Sequence, residues 1–363
     1  MDFKPAVYME FAKQQHANKV ECNLGLSGIT RPYSLEELGV TPRVFYNDAF
    51  HPYGNAELKE IIAHRYGVRS DQILIPNGGS SLCNFLLAAA LLDRGDAVIT
   101  ETPYYEPLTA TVASTGAAVI LLYRRPENRY AIELEELERI LRPPVKLIVV
   151  TRLHNPTGVD IPEQTLFDIG EAAARIGAYV LVDEVYLDFF PPGSKRIAAR
   201  IHPHLITTSS LTKVYGMGDL RIGWAIGPKA IIERCWRINN VLGVNPPFIT
   251  ERAALELFRN GGVDRMAVYA RETAEKNWSI VERFLSNRSD IDWVKPDGGI
   301  IIFIRLKSRK NADALAALLL EKYSTRVMPG SYFDRPDGFR LGFGASAQEL
   351  SEGLRRICAA LEE

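Results

Sequence analysis

The sequence predicts an α/β protein that has a large, mostly parallel sheet and a smaller α+β part. Three observations lead to this fold class. Short apolar strands alternate with helices from about residue 55 to residue 208, which is typical of parallel strands joined by crossover helices. After about residue 250 the alternation gives way to a long helical stretch followed by isolated strands. The composition, 47% hydrophobic and 24% charged, is ordinary for a globular chain.

Each element follows from the spacing of its apolar residues. In the first part the strands are predicted at 72–75, 97–100, 118–123, 145–151, 179–183 and 204–208. The helices between them are predicted at 57–66, 81–92, 107–114, 134–141 and 164–176. In the second part a helical stretch at 251–286 precedes strands at 299–305, 325–328 and 338–343, with helices at 312–323 and 347–361. We therefore expect a large domain at 40–250 and a small domain formed by 1–39 with 251–363.

Charge and cysteine usage exclude several classes of function. The formal net charge of the 363 residues is -1, which argues against nucleic acid or an anionic membrane as the main partner. No run approaches the ~18 apolar residues of a membrane span, and the N-terminus lacks a signal-peptide core, so we expect a cytoplasmic protein. The four cysteines form no CxxC pair, so neither a metal site nor a disulfide framework is expected.

A candidate phosphate site begins where the strand at 72–75 gives way to a helix. The run Asn77-Gly78-Gly79-Ser80-Ser81 has small residues that let a ligand approach the backbone, and a helix start attracts anions. Ser80 adds a hydroxyl donor. The alternative is an ordinary turn with a serine N-cap.

Two further motifs follow buried strands and so lie at the carboxyl edge of the sheet, where open α/β folds bind ligands. Asn155 stands in a His-Asn-Pro-Thr-Gly run, which is also typical of a simple turn. Asp183 ends a strand, and a carboxylate there needs a cationic partner such as a protonated ring nitrogen. The alternative for Asp183 is a helix cap.

A lysine amid small and hydroxyl residues completes the set. Lys213 follows Ser209-Ser210-Leu211-Thr212 after the strand at 204–208, an environment that suits a Schiff-base nucleophile. Arg221 suits a phosphate because its guanidinium binds two oxygens at once. A lone lysine is usually solvated, so this interpretation depends on the whole constellation.

Taken together, these motifs resemble the fold-type I pyridoxal-phosphate enzymes, and within them the class I/II aminotransferases. Asn155 and Asp183 are 28 positions apart, Asp183 and Lys213 are 30 apart, and Lys213 and Arg221 are 8 apart, which matches the family from about residue 20 to the end. The resemblance implies the pyridoxal-phosphate-dependent transferase fold, pyridoxal 5′-phosphate as cofactor, an amino acid and a 2-oxo acid as substrates, and a homodimer with its active site at the subunit interface.

The resemblance also implies residue roles. Lys213 and Asp183 are the catalytic pair: Lys213 bonds the cofactor and moves the proton, and Asp183 keeps the pyridine nitrogen protonated. The cofactor-binding residues are Gly79, Ser80, Tyr105, Asn155, Asp183, Tyr186, Ser210, Lys213 and Arg221. The substrate-binding residues are Arg340, Asn155 and Gly28. For Tyr105 the alternative to ring stacking is core packing, and for Arg340 the alternative to a carboxylate clamp is a surface strand position.

The chain departs from the family pattern in two places. Where the family has a tyrosine that reaches the neighbouring subunit's phosphate, this chain has Ala49, which leaves Tyr46 and Tyr53 as candidates. The segment 23–29, including Gly28, is rich in small residues and is predicted either to contact a ligand or to form a flexible loop. Candidates for the side-chain pocket are Arg31, Asn47, Asp48, His51 and Asn245.

Two alternatives to transamination remain open from the sequence. The same fold and cofactor also serve elimination, decarboxylation, cyclisation and oxidation of amino acids, and some members that cyclise hydroxylated arginine share a short N-terminal segment with a Ser-Gly pair. Release of ammonia would identify such a reaction. A regulatory protein that keeps the fold is the other alternative, and absence of the cofactor's visible absorbance would favour it.

Overall fold

The computed structural model describes residues 3–17, 19–46, 51–76, 78–307 and 311–363. Its strands are β1 (Cys22–Asn23), β2 (Ile73–Leu74), β3 (Ala97–Thr102), β4 (Ala118–Tyr123), β5 (Val145–Thr151), β6 (Tyr179–Asp183), β7 (Leu205–Ser210), β8 (Gly223–Ile226), β9 (Ile291–Trp293), β10 (Ile301–Leu306), β11 (Thr325–Arg326), β12 (Met328–Pro329) and β13 (Gly338–Gly342). Its α-helices are α1 (Val7–Ala17), α2 (Ala56–Tyr66), α3 (Gly79–Leu91), α4 (Glu106–Ala113), α5 (Leu134–Ile140), α6 (Glu163–Arg175), α7 (Lys229–Leu242), α8 (Phe248–Arg259), α9 (Gly262–Ser286), α10 (Asp313–Tyr323) and α11 (Ala347–Leu361).

The largest sheet has seven strands in the order β2-β8-β7-β6-β5-β3-β4. The strands β4, β3, β5, β6 and β7 run parallel, and β8 pairs antiparallel with both β7 and β2. Thr151 pairs in register with Asp183, and Asp183 with Thr208, so the carboxyl ends of three strands meet at one edge. The predicted mostly parallel sheet is confirmed.

Both faces of this sheet are buried because successive strand residues point to opposite sides. Leu147 and Val149 belong to a core with α3, α4 and α7, whereas Ile148 and Val150 belong to a core with α5 and α6. The two helical layers leave the carboxyl edge as the open side of the sheet.

The smaller sheet has the order β12-β13-β10-β9 and is antiparallel. Alongside it, β1 pairs with β11, so Cys22 lies opposite Thr325. This pairing joins the N-terminal segment to the C-terminal part of the chain, as the sequence predicts. The division into domains at 40–250 and at 1–39 with 251–363 stays a prediction.

Two predicted elements are wrong in detail. The helical stretch at 251–286 is two helices, α8 and α9, because the chain turns at Gly261, whose φ of +74° favours glycine. The strand at 325–328 is two short strands, and these pair in different sheets. Helices α1 and α7 and strands β8 and β9 were not predicted. None of the described helices is long and apolar enough to cross a bilayer.

Candidate active site

A cavity of about 510 Å³ opens at the carboxyl edge of the large sheet. It collects residues from the ends of β5, β6 and β7 and from the start of α3. Eight of the nine predicted cofactor-binding residues line it, namely Ser80, Tyr105, Asn155, Asp183, Tyr186, Ser210, Lys213 and Arg221. The ninth, Gly79, lies against Arg221, since a Cβ at Gly79 would be 3.2 Å from the Arg221 Nη2.

Asp183 lies at the buried end of β6, with only 5% of its surface exposed. Its Oδ2 accepts from Asn84 Nδ2 at 3.5 Å and its Oδ1 from the Val185 N–H at 3.2 Å. Burial raises its pKa from the usual 3.8 to about 6, against the opposing effect of those bonds and of the Lys213 charge. No α-helix starts at Asp183, so the helix-cap alternative is wrong. A cationic ligand atom beside this carboxylate would offset the free-energy cost of burying its charge.

Lys213 lies on the segment that follows β7, and its Nζ donates to Ser27 Oγ at 2.9 Å. Burial, and next the charge of Arg340, lower the pKa of the Lys213 amine from 10.5 to about 8. Tyr186 donates its hydroxyl to the Ser27 carbonyl at 2.9 Å. The amine can therefore reach its neutral, nucleophilic form close to neutral pH.

At the other end of the cavity a charged arginine meets the start of a helix. Arg221 Nη2 donates to the Gly78 carbonyl at 2.6 Å and Nη1 to the Gly218 carbonyl at 3.3 Å. Helix α3 begins at Gly79 with Gly78 as its cap and no capping side chain, so the serine N-cap alternative is wrong. The first-turn N–H groups, the Ser80 hydroxyl and Arg221 thus form an anion site.

Arg340 is fully buried on β13, so its alternative as a surface residue is wrong. Its Nη1 donates to Asn155 Oδ1 at 2.9 Å, and its Nη2 donates to Tyr8 Oη at 3.1 Å and to the Gly25 carbonyl at 2.8 Å. These partners are neutral, Nε has no hydrogen-bond partner, and no ion pair within the described ranges includes Arg340. A buried guanidinium without a carboxylate is costly, which points to an anionic ligand.

A second cavity of about 400 Å³ lies between α1 and the segment 23–30. Lys213 and Tyr105 line both cavities, whereas Ser27, Gly28 and Arg326 line the second. None of the described residues that line it is Asp or Glu. The segment 23–29 is thus part of a cavity wall rather than a loose loop.

None of the predicted side-chain-pocket residues that the structure describes lines either cavity. Arg31 pairs with Asp219 at 3.5 Å, and neither Arg31 nor His51 nor Asn245 lines either cavity. Asn47 and Asp48 lie outside the described residues, as does Ala49. Tyr46 and Tyr53 are exposed, at 69% and 51%.

Helix α1 forms one wall of the second cavity. The sequence did not predict this helix. The Glu106 carboxylate accepts from the Val7 N–H at 3.1 Å and the Tyr8 N–H at 2.6 Å, so it holds the start of the helix. The Tyr8 ring meets the Tyr105 ring edge-on, with centroids 5.1 Å apart. Tyr105 therefore packs against an aromatic neighbour and also lines both cavities, and its stacking on a cofactor ring stays a prediction.

A buried network behind the site fixes Asn155. Glu101 accepts from the Thr151 N–H at 2.7 Å and from the Thr151 hydroxyl, and it pairs with Arg124 at 2.8 Å. Thr151 Oγ1 in turn accepts from the Asn155 N–H at 3.1 Å. With its Oδ1 occupied by Arg340, Asn155 has its amide nitrogen available to donate. Glu101 and Arg124 carry no sequence signal of this role.

Comparison with known proteins gives the family. The model of the family described as "Aminotransferase class I and II" matches residues 46–357. The chain belongs to this family.

A probable aspartate/prephenate aminotransferase of Thermus aquaticus is 28% identical to it over 86% of this chain and 83% of that protein. A capreomycidine synthase of Streptomyces vinaceus is 27% identical over 85% of this chain and 79% of that protein. A crystal structure of a pyridoxal-phosphate-dependent aminotransferase from Streptococcus suis is similar with a TM-score of 0.90 at 25% identity, over 100% of this chain and 98% of that one.

The family assignment makes this protein a pyridoxal-phosphate-dependent aminotransferase, and the residues present fit the cofactor. The larger cavity offers a lysine for the aldehyde, a buried carboxylate for the ring nitrogen and an anion site for the phosphate. Arg340, which donates to Asn155 and has an unsatisfied Nε, could bind a carboxylate next to this cavity. The fold, the family and the cofactor expected from the sequence are thereby confirmed.

Proposed function

We propose that this aminotransferase binds its cofactor in the larger cavity and its substrates in the smaller one, with Lys213 acting between them. The observation that carries the proposal is the position of the Lys213 amine, which borders both cavities. Pyridoxal 5′-phosphate, when bound, supplies the aldehyde that bonds an amino group and the ring that withdraws electrons from the α-carbon.

The residues of the larger cavity hold the cofactor. Asp183 is proposed to pair with the ring nitrogen, and a cation there would return the pKa of the carboxyl toward its usual range. Asn155 would donate to the phenolic oxygen, and Tyr186 would do so by giving up its hydrogen bond to the Ser27 carbonyl. Tyr105 would stack on the ring. The phosphate would be held by Gly79, Ser80, Ser210 and Arg221.

Lys213 is proposed to take the α-proton from the amino acid and to return a proton at the adjacent cofactor carbon. A general base works best when its pKa is near the operating pH, and a pKa of about 8 meets that condition. The buried setting excludes bulk water from the proton while it is held on the amine.

Arg340 is proposed to bind the α-carboxylate of the substrate, with Asn155 and the backbone at Gly28 beside it. A carboxylate would supply the anion that the guanidinium lacks, in a bidentate geometry. Arg326 adds a second cation to the wall of the smaller cavity, and none of the described lining residues is acidic.

A homodimer is proposed from an exposed apolar surface. Phe45, Tyr46, Val241 and Val244 are 68%, 69%, 83% and 62% exposed, and the Tyr53 ring lies 5.4 Å from that of Trp236 on α7. Large exposed apolar side chains, such as Val241 and Val244 at and just after the end of α7, favour a protein interface. Either Tyr46 or Tyr53 would then reach the phosphate of the other subunit. Light scattering of a Val241→Glu variant should show a monomer if this surface is the interface. The cytoplasmic location stays a prediction.

A panel of amino acids tests the reaction. The holoenzyme is incubated with each amino acid without any 2-oxo acid, and products are followed by absorbance and mass spectrometry. Appearance of pyridoxamine phosphate with one matching 2-oxo acid supports transamination and names the donor. The similarity to a capreomycidine synthase motivates the second outcome. Ammonia or a cyclised product, with the cofactor still in its aldehyde form, would replace transamination while leaving the cofactor site in place.

A further inference from the structure

Ser27 is the only described side chain that forms a hydrogen bond with the amine of Lys213, at 2.9 Å. It is 6% exposed and lines the smaller cavity. Ser27 belongs to the Ser-Gly pair of the N-terminal segment, and none of the residue roles that the resemblance implies is assigned to it. Its hydroxyl thus contacts the nitrogen atom that is proposed to move the proton.

The position of Ser27 is fixed by its surroundings. The Gly342 N–H donates to the Leu24 carbonyl at 2.7 Å, and the Ile29 N–H donates to the Lys213 carbonyl at 2.9 Å. Between these two anchors, the Ser27 carbonyl accepts the Tyr186 hydroxyl at 2.9 Å. The segment is thus bonded to β13, to the lysine segment and to the wall of the larger cavity, so the hydroxyl is presented by a rigid backbone.

The hydroxyl has one hydrogen left to give. A serine oxygen accepts two hydrogen bonds and donates one. Within the described ranges Ser27 Oγ donates to no side chain or backbone group, although it lines a cavity. Ser194, by contrast, donates its hydroxyl to the Pro191 carbonyl at 2.6 Å. The Ser27 hydrogen is free to serve a water or a substrate oxygen.

We propose that Ser27 is a catalytic residue that relays a proton between the Lys213 amine and the smaller cavity. In this step an N–H bond of the ammonium breaks and its electron pair stays on Nζ. A new O–H bond forms at Ser27 Oγ while the original O–H bond breaks, and that proton passes to a water or substrate oxygen in the cavity. Ser27 is neutral before and after the step, and no oxidant or reductant is needed.

The relay rests on the proposed role of Lys213 as the base. It has a distinct consequence, because a proton taken from the α-carbon can then exchange with solvent through the hydroxyl. Without the hydroxyl the α-proton mixes only with the two hydrogens that the amine already carries, so part of it returns to carbon. The ratio of exchange to amino-group transfer separates a relay from a residue that merely positions the lysine.

The first test follows the donor amino acid in deuterium oxide. Mass spectrometry measures deuterium at the α-carbon of recovered substrate, and the 2-oxo acid measures transfer. Ser27→Ala is expected to lower the ratio of exchange to transfer, because part of the original α-proton then returns from the amine to carbon. Ser27→Thr retains a hydroxyl and is expected to restore the ratio. Ser34→Ala is the matched control, because Ser34 only caps an exposed turn through the Glu37 N–H.

The second test uses the cofactor-free protein and needs no turnover. Acetic anhydride at limiting concentration labels amines in proportion to their neutral fraction, and peptide mass spectrometry reads out Lys213. Loss of the Ser27 acceptor disfavours the ammonium form, so Lys213 in Ser27→Ala is expected to label roughly threefold to tenfold faster at pH 7. Lys195, which pairs with Asp160 at 2.8 Å, is the internal control and should not change.

The outcomes separate the two proposals. If Ser27→Ala lowers exchange and transfer equally and leaves the ratio unchanged, Ser27 positions the lysine and the relay is wrong. If Lys213 labels at the wild-type rate in Ser27→Ala, the hydrogen bond does not act on the amine and the relay is equally wrong. If instead a Lys213→Ala holoenzyme still exchanges the α-proton, the proposed base is wrong, whatever Ser27 does.

Discussion

Asp183 and Glu184 are neighbours in the chain, both are buried carboxylates, and their surroundings are opposite. Glu184, 1% exposed, accepts from Arg152 Nη1 at 3.1 Å, from the Thr207 hydroxyl at 2.7 Å and from the Ala198 N–H at 3.0 Å. Asp183 faces the cofactor cavity with two neutral donors and no ion pair within the described ranges. The charge of Glu184 is therefore balanced within the protein, whereas that of Asp183 has no cationic partner among the described side chains.

The same contrast holds for two buried arginines. Arg152 is bound by carboxylates, through Asp160 at 2.9 Å and Glu184 at 3.1 Å, and Lys195 extends this cluster. Arg340 has only neutral partners. A buried charge without a counter-charge is unfavourable, so the lack of a carboxylate beside Arg340 indicates an anionic ligand. The carboxylates beside Arg152 indicate a structural role instead. Substitutions in matched pairs should therefore separate activity from stability.

The largest expected effect comes from the two lysines. Lys213→Ala should lower the rate of amino-group transfer by about 10²–10⁴-fold or more, because it removes the general base. The control, Lys195→Ala, removes a lysine of the paired cluster and should keep the rate close to wild type. Both rates are measured by following cofactor absorbance with the donor amino acid. An equal loss of transfer rate in the two variants would contradict the assignment of a catalytic role to Lys213 and a structural role to Lys195.

The next effect compares Arg340→Met with Arg152→Met. The first should lower kcat/KM by about 10²-fold or more, since a buried charge contact to the substrate is lost. Its unfolding free energy should fall by no more than about 2 kcal/mol, because cavity water can replace its neutral partners.

Arg152→Met should behave in the opposite way. Removing one partner of a buried ion-pair cluster costs about 3–5 kcal/mol, because the Asp160 and Glu184 carboxylates are left without a cation. Urea unfolding measures both variants, and the activity of the folded fraction of Arg152→Met should stay near wild type. A larger stability loss in Arg340→Met than in Arg152→Met would contradict the comparison.

The smallest effect is a pH dependence of the cofactor-free protein. The pKa of Asp183 is about 6 when folded against 3.8 otherwise, so between these values the folded protein binds more protons than the unfolded chain. Its contribution to the unfolding free energy therefore falls as the pH rises from about 4 to about 6, by up to about 3 kcal/mol. Urea unfolding of Asp183→Asn should lack this fall. Parallel curves for wild type and variant would show that folding does not raise the pKa of Asp183.

The sequence predicts the carboxyl-edge residues well, for a physical reason. Asn155, Asp183 and Lys213 each follow a strand or stand close to its end, and parallel strands bring those ends together. Local patterns therefore suffice to predict the fold class and several of the residues that line the larger cavity, whereas Tyr105 and Tyr186 follow only from the resemblance. The break at Gly261 was also readable, since Asn260, Gly261 and Gly262 form a strong turn signal inside the helical stretch.

The rest of the site depends on contacts between distant parts of the chain. Ser27 meets Lys213 across 186 positions, and Glu106 holds Tyr8 across 98. Such contacts leave no local pattern, because each residue by itself is typical of a loop or a helix start. Arg340 was placed by resemblance alone, since its isolation from carboxylates can be seen only in three dimensions.

The covering helix α1 has a consequence for redesign of the enzyme. Met9, Phe11 and Ala12 line the substrate cavity, yet the helix belongs to none of the sheets and is held at its start through Glu106. Libraries that randomise Phe11 and Ala12 are expected to alter which substrate side chains are accepted, whereas Met9 also lines the larger cavity and is best left unchanged. A purification tag is better attached at the C-terminus, after α11, than ahead of this helix.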